Sequence, residues 1–310
     1  MNGYVGWIYF AIVGASVLLA ATALLPLIRV EWWWIRIGDF PRAQLLVSYL
    51  VMLCCLLPFW GDVLATSLTG LLVVCTGIQL YWVFPYLPIA SREVQASQAG
   101  VDASRLRIMT ANVLQENENP RPLLDLVDQI RPDILALCEV NQRWASDLEP
   151  LKQQFQYHFI HPLENTYGLA LFSNLAIEEL ELREMVKKGI PSIDAVMRQR
   201  SGDQLRLFLV HPNPPRPNED TTKRDAELVL VGREVRDDST VIVLGDLNDV
   251  CWSETTRLFQ KVSGLLDPRK GRGLYFTFNA RSRIWRWPLD HLFHSDDFRL
   301  VALRVLSDIG

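Results

Sequence analysis

Three nearly unbroken apolar blocks fill the start of the chain, at about 4–28, 45–60 and 63–89, whereas beyond residue 105 the apolar residues come in short runs separated by polar turns. A bilayer core takes roughly 20 apolar residues per helix, so the first and third blocks predict transmembrane helices. The middle block is shorter and runs into Pro58, which leaves less margin for a crossing. A cleaved secretory signal is not expected, because the start is uncharged and two more apolar blocks follow. The Trp32-Trp33-Trp34 cluster falls where a membrane–water interface is expected.

After residue 105 the pattern alternates between strand-like and helix-like periods. It predicts strands over 106–110, 134–138, 157–160, 169–173, 195–200, 205–210 and 241–244. Helices are predicted over 122–130, 143–155 and 224–236, the first ended by Arg131-Pro132, since proline disfavours helical geometry in the residue before it. Ser201-Gly202-Asp203 is a hairpin signal, and 211–217 is a proline-rich loop. Strands joined both by hairpins and by helices predict an α/β fold with mixed sheets packed in layers under outer helices. The domains expected are a membrane region over 1–90, a small polar tether over 91–104 and a catalytic domain over 105–310.

Charge sharpens this division. The first ninety residues hold only six charged side chains, Arg29, Glu31, Arg36, Asp39, Arg42 and Asp62. Basic residues near the spans, Arg29, Arg36, Arg42, Arg92, Arg105 and Arg107, all fall before the second block or after the third, and the Gly61-Asp62 turn has none. The positive-inside rule then puts the catalytic domain in the cytoplasm; if the middle block does not cross, the domain moves to the periplasmic or extracellular face. Cys54, Cys55 and Cys75 lie in apolar blocks and Cys138 and Cys251 beside candidate site residues, which suggests no disulfide framework.

Several strand-like runs end in oxygen-bearing side chains. Val241-Ile242-Val243-Leu244-Gly245 leads into Asp246, Asn248 and Asp249; Thr110-Ala111 leads into Asn112; Leu137-Cys138 leads into Glu139; and Leu289-Asp290-His291-Leu292-Phe293 sets an acid beside an imidazole in an apolar run. Unpaired charge there would be costly, so convergence at one sheet edge is expected. Carboxylate and carboxamide oxygens without paired Cys or His suit a hard cation such as Mg²⁺. Asp246 can then orient or deprotonate an attacking water, Asn248 can hydrogen-bond substrate or Asp246, and a protonated His291 can neutralise charge on phosphorus oxygens, with His211 a second imidazole in reach.

These motifs resemble the endonuclease/exonuclease/phosphatase superfamily, from about Leu106 to the end of the chain. The resemblance implies a four-layer α/β sandwich of two mixed β-sheets flanked by helices, and divalent-metal-dependent hydrolysis of phosphate esters with Mg²⁺ or Mn²⁺. It implies Asn112, Glu139 and Asp290 as metal ligands and His211, Asp246, Asn248, Asp267 and His291 as catalytic residues. Tyr167-Gly168-Leu169 is similar to the family's glycine-led strand. Cys138 stands where many relatives carry Gln, and Pro288-Leu289 where many have Arg before an apolar residue, which bears on hydrogen bonds around the ligands. The apolar N-terminal blocks look like the membrane-attached bacterial branch, which implies a multi-pass protein of the bacterial inner membrane.

Substrate is less defined by the sequence. With the four basic and four acidic residues of the first hundred set aside, the rest carries 27 basic and 31 acidic residues, a balance that gives no support to broad duplex-DNA binding. A basic cluster of Arg269, Lys270, Arg272, Arg281, Arg283 and Arg286 is interleaved with Trp285 and Trp287, and suits a phosphate-bearing head group or a nucleic-acid strand. The expected partners are the lipid bilayer and a phosphate-ester substrate (nucleic acid, lipid head group or inositol phosphate), with no protein partner. The alternative to an enzyme is a non-catalytic membrane scaffold or head-group sensor that keeps the fold, motivated by Cys138 and Pro288.

Overall fold

The computed structural model describes residues 3–24, 35, 37–97, 105–214, 222–238, 240–306 and 309. The triple-tryptophan cluster, Arg29, Arg36, the second half of the expected tether and the end of the proline-rich loop lie outside the described residues. Three helices, α1 (Gly3–Leu24), α2 (Arg42–Leu56) and α3 (Val63–Val83), form the N-terminal region. With their short 3-10 extensions all three are long and apolar enough to cross a membrane, including the middle one over Arg42–Phe59. Their contacts use small residues, Ala20, Ala23 and Ala65, with Leu68, Leu72 and Cys75, as expected where lipid supplies no hydrophobic drive between helices. Tyr9 donates to Asp62 (2.5 Å) and Thr22 meets Tyr49 (3.0 Å), so α1 starts beside the α2–α3 turn. The start of α2 and the end of α3 therefore share the opposite end of the bundle.

The remaining strands are β1 (Ile108–Asn112), β2 (Ile134–Cys138), β3 (Tyr157–His161), β4 (Leu169–Ser173), β5 (Ala176–Arg183), β6 (Ser192–Arg198), β7 (Gln204–Leu209), β8 (Val241–Asp246) and β9 (Asp290–His294). They form a four-stranded sheet in the order β1-β2-β4-β3 and a five-stranded sheet in the order β5-β6-β7-β8-β9. Among the named strand pairs β1–β2 and β7–β8 are the parallel ones, and each of these pairs is joined through a helix, α4 (Arg121–Ile130) or α6 (Thr222–Glu234), because parallel neighbours need a crossover.

Side-chain alternation sorts residues into layers. Ile134, Ala136 and Cys138 of β2 meet Ile242 and Leu244 of β8 between the sheets. Leu135 and Leu137 face the other way, onto Leu123 and Val127 of α4 and Trp144 of α5 (Gln142–Asp147). Val241 and Val243 pack on Leu228 and Val231 of α6 and Phe259 of α7 (Glu254–Ser263). The result is the expected sandwich of two mixed sheets between helical layers.

The two halves share a core. Val83 and Tyr86 pack with Val250, Cys251, Trp252 and Leu289, joined by Phe40, Trp82 and Trp287. Trp252 donates to the Asp39 carbonyl (2.7 Å), the Tyr86 hydroxyl to the Cys251 carbonyl (2.5 Å), and the Gly271 amide to the Pro85 carbonyl (2.8 Å). Gly271 has φ +70°, and a Cβ there would lie 2.7 Å from the Arg92 nitrogen, so only glycine admits this approach. The described part of the expected tether is docked as well: Glu93 accepts from the Asp267 amide (2.7 Å) and from Lys270 (2.7 Å), and Ser97 donates to the Leu300 carbonyl (2.8 Å).

Trp252→Phe is expected to destabilise this junction by about 1–3 kcal/mol, since it removes the buried hydrogen bond to the Asp39 carbonyl and reduces ring volume. A fall of several degrees in Tm of the detergent-solubilised chain, with faster proteolysis of 88–97, would show it; an unchanged Tm would refute it.

Candidate active site

Strand register brings the polar ends together. Asn112 closes β1 opposite Cys138, the last residue of β2, so Glu139 emerges directly beside Asn112. In the other sheet Asp246, the last residue of β8, faces Asp290, the first residue of the antiparallel β9. Asp290 and His291 thus begin a strand rather than end one, and reach the same edge because β9 runs back. The amide nitrogen of Asn112 ties the two sheets, donating to Glu139 Oε1 (2.7 Å) and Asp246 Oδ2 (2.9 Å), while its own oxygen accepts from the Leu114 amide (2.9 Å).

Backbone strain concentrates here. Glu139 has φ +65° and Asn248 φ +51°, positions that cost energy for side chains other than glycine and cluster at functional sites. Gly245 has φ +135°, and a Cβ on it would sit 2.0 Å from the Val210 carbonyl oxygen. That glycine lets β8 press against the turn that carries His211. His211 is buried; its Nδ1–H donates to the Asp246 carbonyl (3.0 Å), which leaves Nε2 turned toward Glu139 Oε1 at 3.9 Å. The Asn248 amide donates to Asp246 Oδ1 (2.9 Å) and its side-chain nitrogen to the Pro212 carbonyl (3.0 Å).

Asp290 is the third acid at this edge. Its Oδ1 is buried without a hydrogen-bond partner, its amide donates to Thr277 Oγ1 (3.2 Å), and burial followed by the charge of Asp246 pushes its carboxyl up to about 7. Among the described residues no Lys or Arg side chain hydrogen-bonds the carboxylate of Glu139, Asp246 or Asp290, although Arg269 reaches the Asp290 main chain. Asn112 and Asp290 line a cavity of about 1190 Å³ along the β1 and β9 edges, together with Thr277 and Arg286; Glu139 is not part of that lining.

Asp267 and His291 belong to a buried group organised by Arg269, of which Arg269 and His291 reach the lining of the same cavity. The guanidinium grips Asp267 through Nε (2.9 Å) and Nη2 (2.7 Å), donates to the Asp290 carbonyl (3.1 Å) and donates to His291 Nδ1 (2.7 Å). His291 Nε2 donates to the Asp249 carbonyl (2.9 Å). Both ring nitrogens are thereby engaged in a neutral imidazole, and burial with the neighbouring Arg269 pushes its pKa down to about 3. His291 is therefore not the cation expected from the sequence; it supports Asp290 from behind.

A depressed histidine pKa favours folding above its unfolded value of about 6.5, and that stability is lost as pH falls toward 3. Asp290, with its carboxyl raised to about 7, contributes the opposite slope, so the readout is the difference between chains: His291→Gln should remove about one proton from the pH dependence of stability between pH 6.5 and 5, and an unaltered slope would exclude the buried neutral ring.

Three participants escaped the sequence reading. Arg269 was one member of the basic cluster suited to a phosphate-bearing ligand, Thr277 had no motif, and Gln115 supplies its amide to Glu139 Oε2 (3.1 Å). Only Gln115, three residues beyond Asn112, carried a usable positional signal. The basic cluster also divides: Lys270 pairs with Glu93 and Arg272 donates to the Pro268 and Val94 carbonyls, whereas Arg281 and Arg283 are exposed.

Residues 109–310 match the family model of the Endonuclease/Exonuclease/phosphatase family. No curated protein matches the chain. Among solved structures, D. rerio TDP2 complexed with a single-strand DNA product is similar at a TM-score of 0.52 and 16% identity, over 62% of this chain and 84% of that one. A humanized D. rerio TDP2 gives 0.51 and 17%, over 62% and 83%. A beta toxin mutant from Staphylococcus aureus with bound magnesium ions gives 0.50 and 17%, over 63% and 85%. At such identities the structural likeness speaks for the fold, and it agrees with the sequence match over the same part of the molecule: the chain belongs to the endonuclease/exonuclease/phosphatase family.

Proposed function

We propose that this protein is a membrane-anchored phosphoesterase that hydrolyses a phosphodiester or phosphomonoester with Mg²⁺ or Mn²⁺. The observation that carries the reading is the cluster in which Asn112 joins Glu139 to Asp246 beside His211 and Asn248, opposite the partnerless Asp290 oxygen. Acidic groups crowded with no Lys or Arg hydrogen-bonded to their carboxylates among the described residues fit a divalent cation. Among the described residues no three His, Cys, Asp or Glu side chains form a ready-made cage, and Mg²⁺ asks for only one or two carboxylates with waters and substrate phosphate. Glu139 and Asp290, with the Asn112 amide, would hold the ion. When bound it would polarise a phosphoryl oxygen and stabilise the leaving oxygen.

The chain's own groups supply the rest. Asp246, fixed by Asn112 and the Asn248 amide, orients the attacking water and accepts its proton. His211, fixed through Nδ1–H, would in its doubly protonated form donate from Nε2 to a phosphate oxygen next to Glu139. The magnesium of the beta toxin structure and the DNA product of the TDP2 structure agree with this chemistry. The three apolar helices support an anchor in a bacterial inner membrane, and the arginines flanking them support a catalytic domain on the cytoplasmic side.

The test is a panel of single-stranded oligonucleotide, phospholipid and inositol phosphate offered to the full chain in nanodiscs, with Mg²⁺, Mn²⁺ or chelator and a Glu139→Gln control. Metal-dependent turnover absent in the control supports the reading. Metal binding without turnover of any member would favour the head-group sensor instead.

A further inference from the structure

The loop from Phe278 to Trp287 is held from both sides. On one side Gln44 Nε2, in the first turn of α2, donates to the Ile284 carbonyl (3.0 Å) and the Arg286 carbonyl (2.9 Å). Phe40 meets Trp287 edge-on at 5.9 Å. On the other side the Thr277 and Phe278 amides donate to the Trp287 carbonyl (3.1 and 3.0 Å), and Phe278 stacks on Trp287. The loop is thus pinned at the level where the candidate span Arg42–Phe59 begins.

What it leaves outside is apolar and cationic. Ile284 is 69% exposed, Trp285 57% and Phe278 49%. Arg281 and Arg283 are exposed too, and neither has an acidic partner among the described residues. Exposed aliphatic and aromatic tips beside unpaired arginines are poorly suited to bulk water. They match the head-group layer, where indole rings settle at the interface and guanidinium groups meet lipid phosphate.

We infer that the Phe278–Trp287 loop is seated in the head-group layer of the bilayer, with Ile284 and Trp285 in the interface and Arg281 and Arg283 on anionic lipid phosphates. The inference rests on the membrane-spanning part of the proposed function and not on turnover. The bilayer is the occupant favoured over a nucleic-acid strand because the loop is fastened to the first turn of a candidate span. The fastening is also short of the site: Thr277, one residue before the loop, accepts from the Asp290 amide, and Arg286 lines the same cavity as Asp290.

The test places the full chain in nanodiscs containing phosphatidylcholine and phosphatidylglycerol, with or without bromine on the acyl chains near the head group. Tryptophan quenching is compared in wild type, Trp285→Phe and Arg281→Gln/Arg283→Gln. The expected result is a bromolipid-quenched component that is lost in Trp285→Phe and weakened in the double arginine variant. Equal quenching in wild type and Trp285→Phe would overturn the inference. So would a Trp285 signal that responds to single-stranded oligonucleotide but not to bromolipid. If no tryptophan at all is quenched, the membrane-spanning reading fails first, an outcome distinct from loss of the Trp285 component alone.

Discussion

Glu139→Gln is expected to lower turnover of a phosphate ester by about a thousandfold, the size that follows when several kcal/mol of transition-state charge stabilisation is removed. The substitution keeps the shape of the side chain and an oxygen that can accept from Asn112 Nδ2 or the Gln115 amide, so the left-handed turn at Glu139 has no new reason to rearrange. What it removes is the negative charge and one of the two acceptor oxygens. Tm without metal should therefore change little, while the upward shift of Tm by Mg²⁺ or Mn²⁺ seen in wild type should disappear. Retention of more than a tenth of wild-type kcat with saturating metal would contradict the proposed role of Glu139.

Arg269→Met should be the most destabilising single change outside the apolar cores, by about 3–5 kcal/mol, because it leaves the fully buried Asp267 carboxylate without its partner. Desolvation alone would raise the Asp267 pKa, and the net lowering depends on the Arg269 charge and its hydrogen bonds. For a domain of this size the loss corresponds to a Tm drop on the order of ten degrees. Removing both charges together, with Asp267→Asn added, should recover a large part of the loss, since a neutral pair avoids the stranded ion. A double variant no more stable than the single would show that Arg269 acts through packing and through its bonds to Asp290 and His291 alone.

The sequence was most readable where period and punctuation agreed. β2 and β4 lie where the apolar runs put them, and Arg131, in the left-handed conformation before Pro132, ends α4 as expected. The first strand is displaced, to Ile108–Asn112, because Asn112 itself pairs in the ladder. The helix expected over 143–155 divides at Pro150 into α5 and a 3-10 turn. β5 was missed because a register shift between Ile177 and Glu179 breaks the alternation, leaving Ile177, Leu180 and Leu182 off a strict two-residue period. α7 was missed although its signals are present, with Ser253 capping Thr256 N (3.0 Å) and Gly264 closing it.

For the site, residue type and strand-end position were enough to single out Asn112, Glu139, Asp246 and Asn248, which the fold gathers. They were not enough to separate Arg269 from Arg281 and Arg283. A guanidinium that folds back on an acid two residues away and one that points into solvent look alike in a string of letters. The difference is set by tertiary packing around Asp267 and His291.

The shared core of Tyr86, Trp252 and Leu289 has a mechanical meaning. A catalytic head on a slack leash would sweep a hemisphere and meet its targets by chance encounter, at a local concentration set by the leash. A head mounted rigidly on its anchor works at one altitude. For the proposed membrane-anchored phosphoesterase, the bond to be cut would have to come to that height, so the mounting itself would screen substrates by how far their phosphorus stands from the membrane plane.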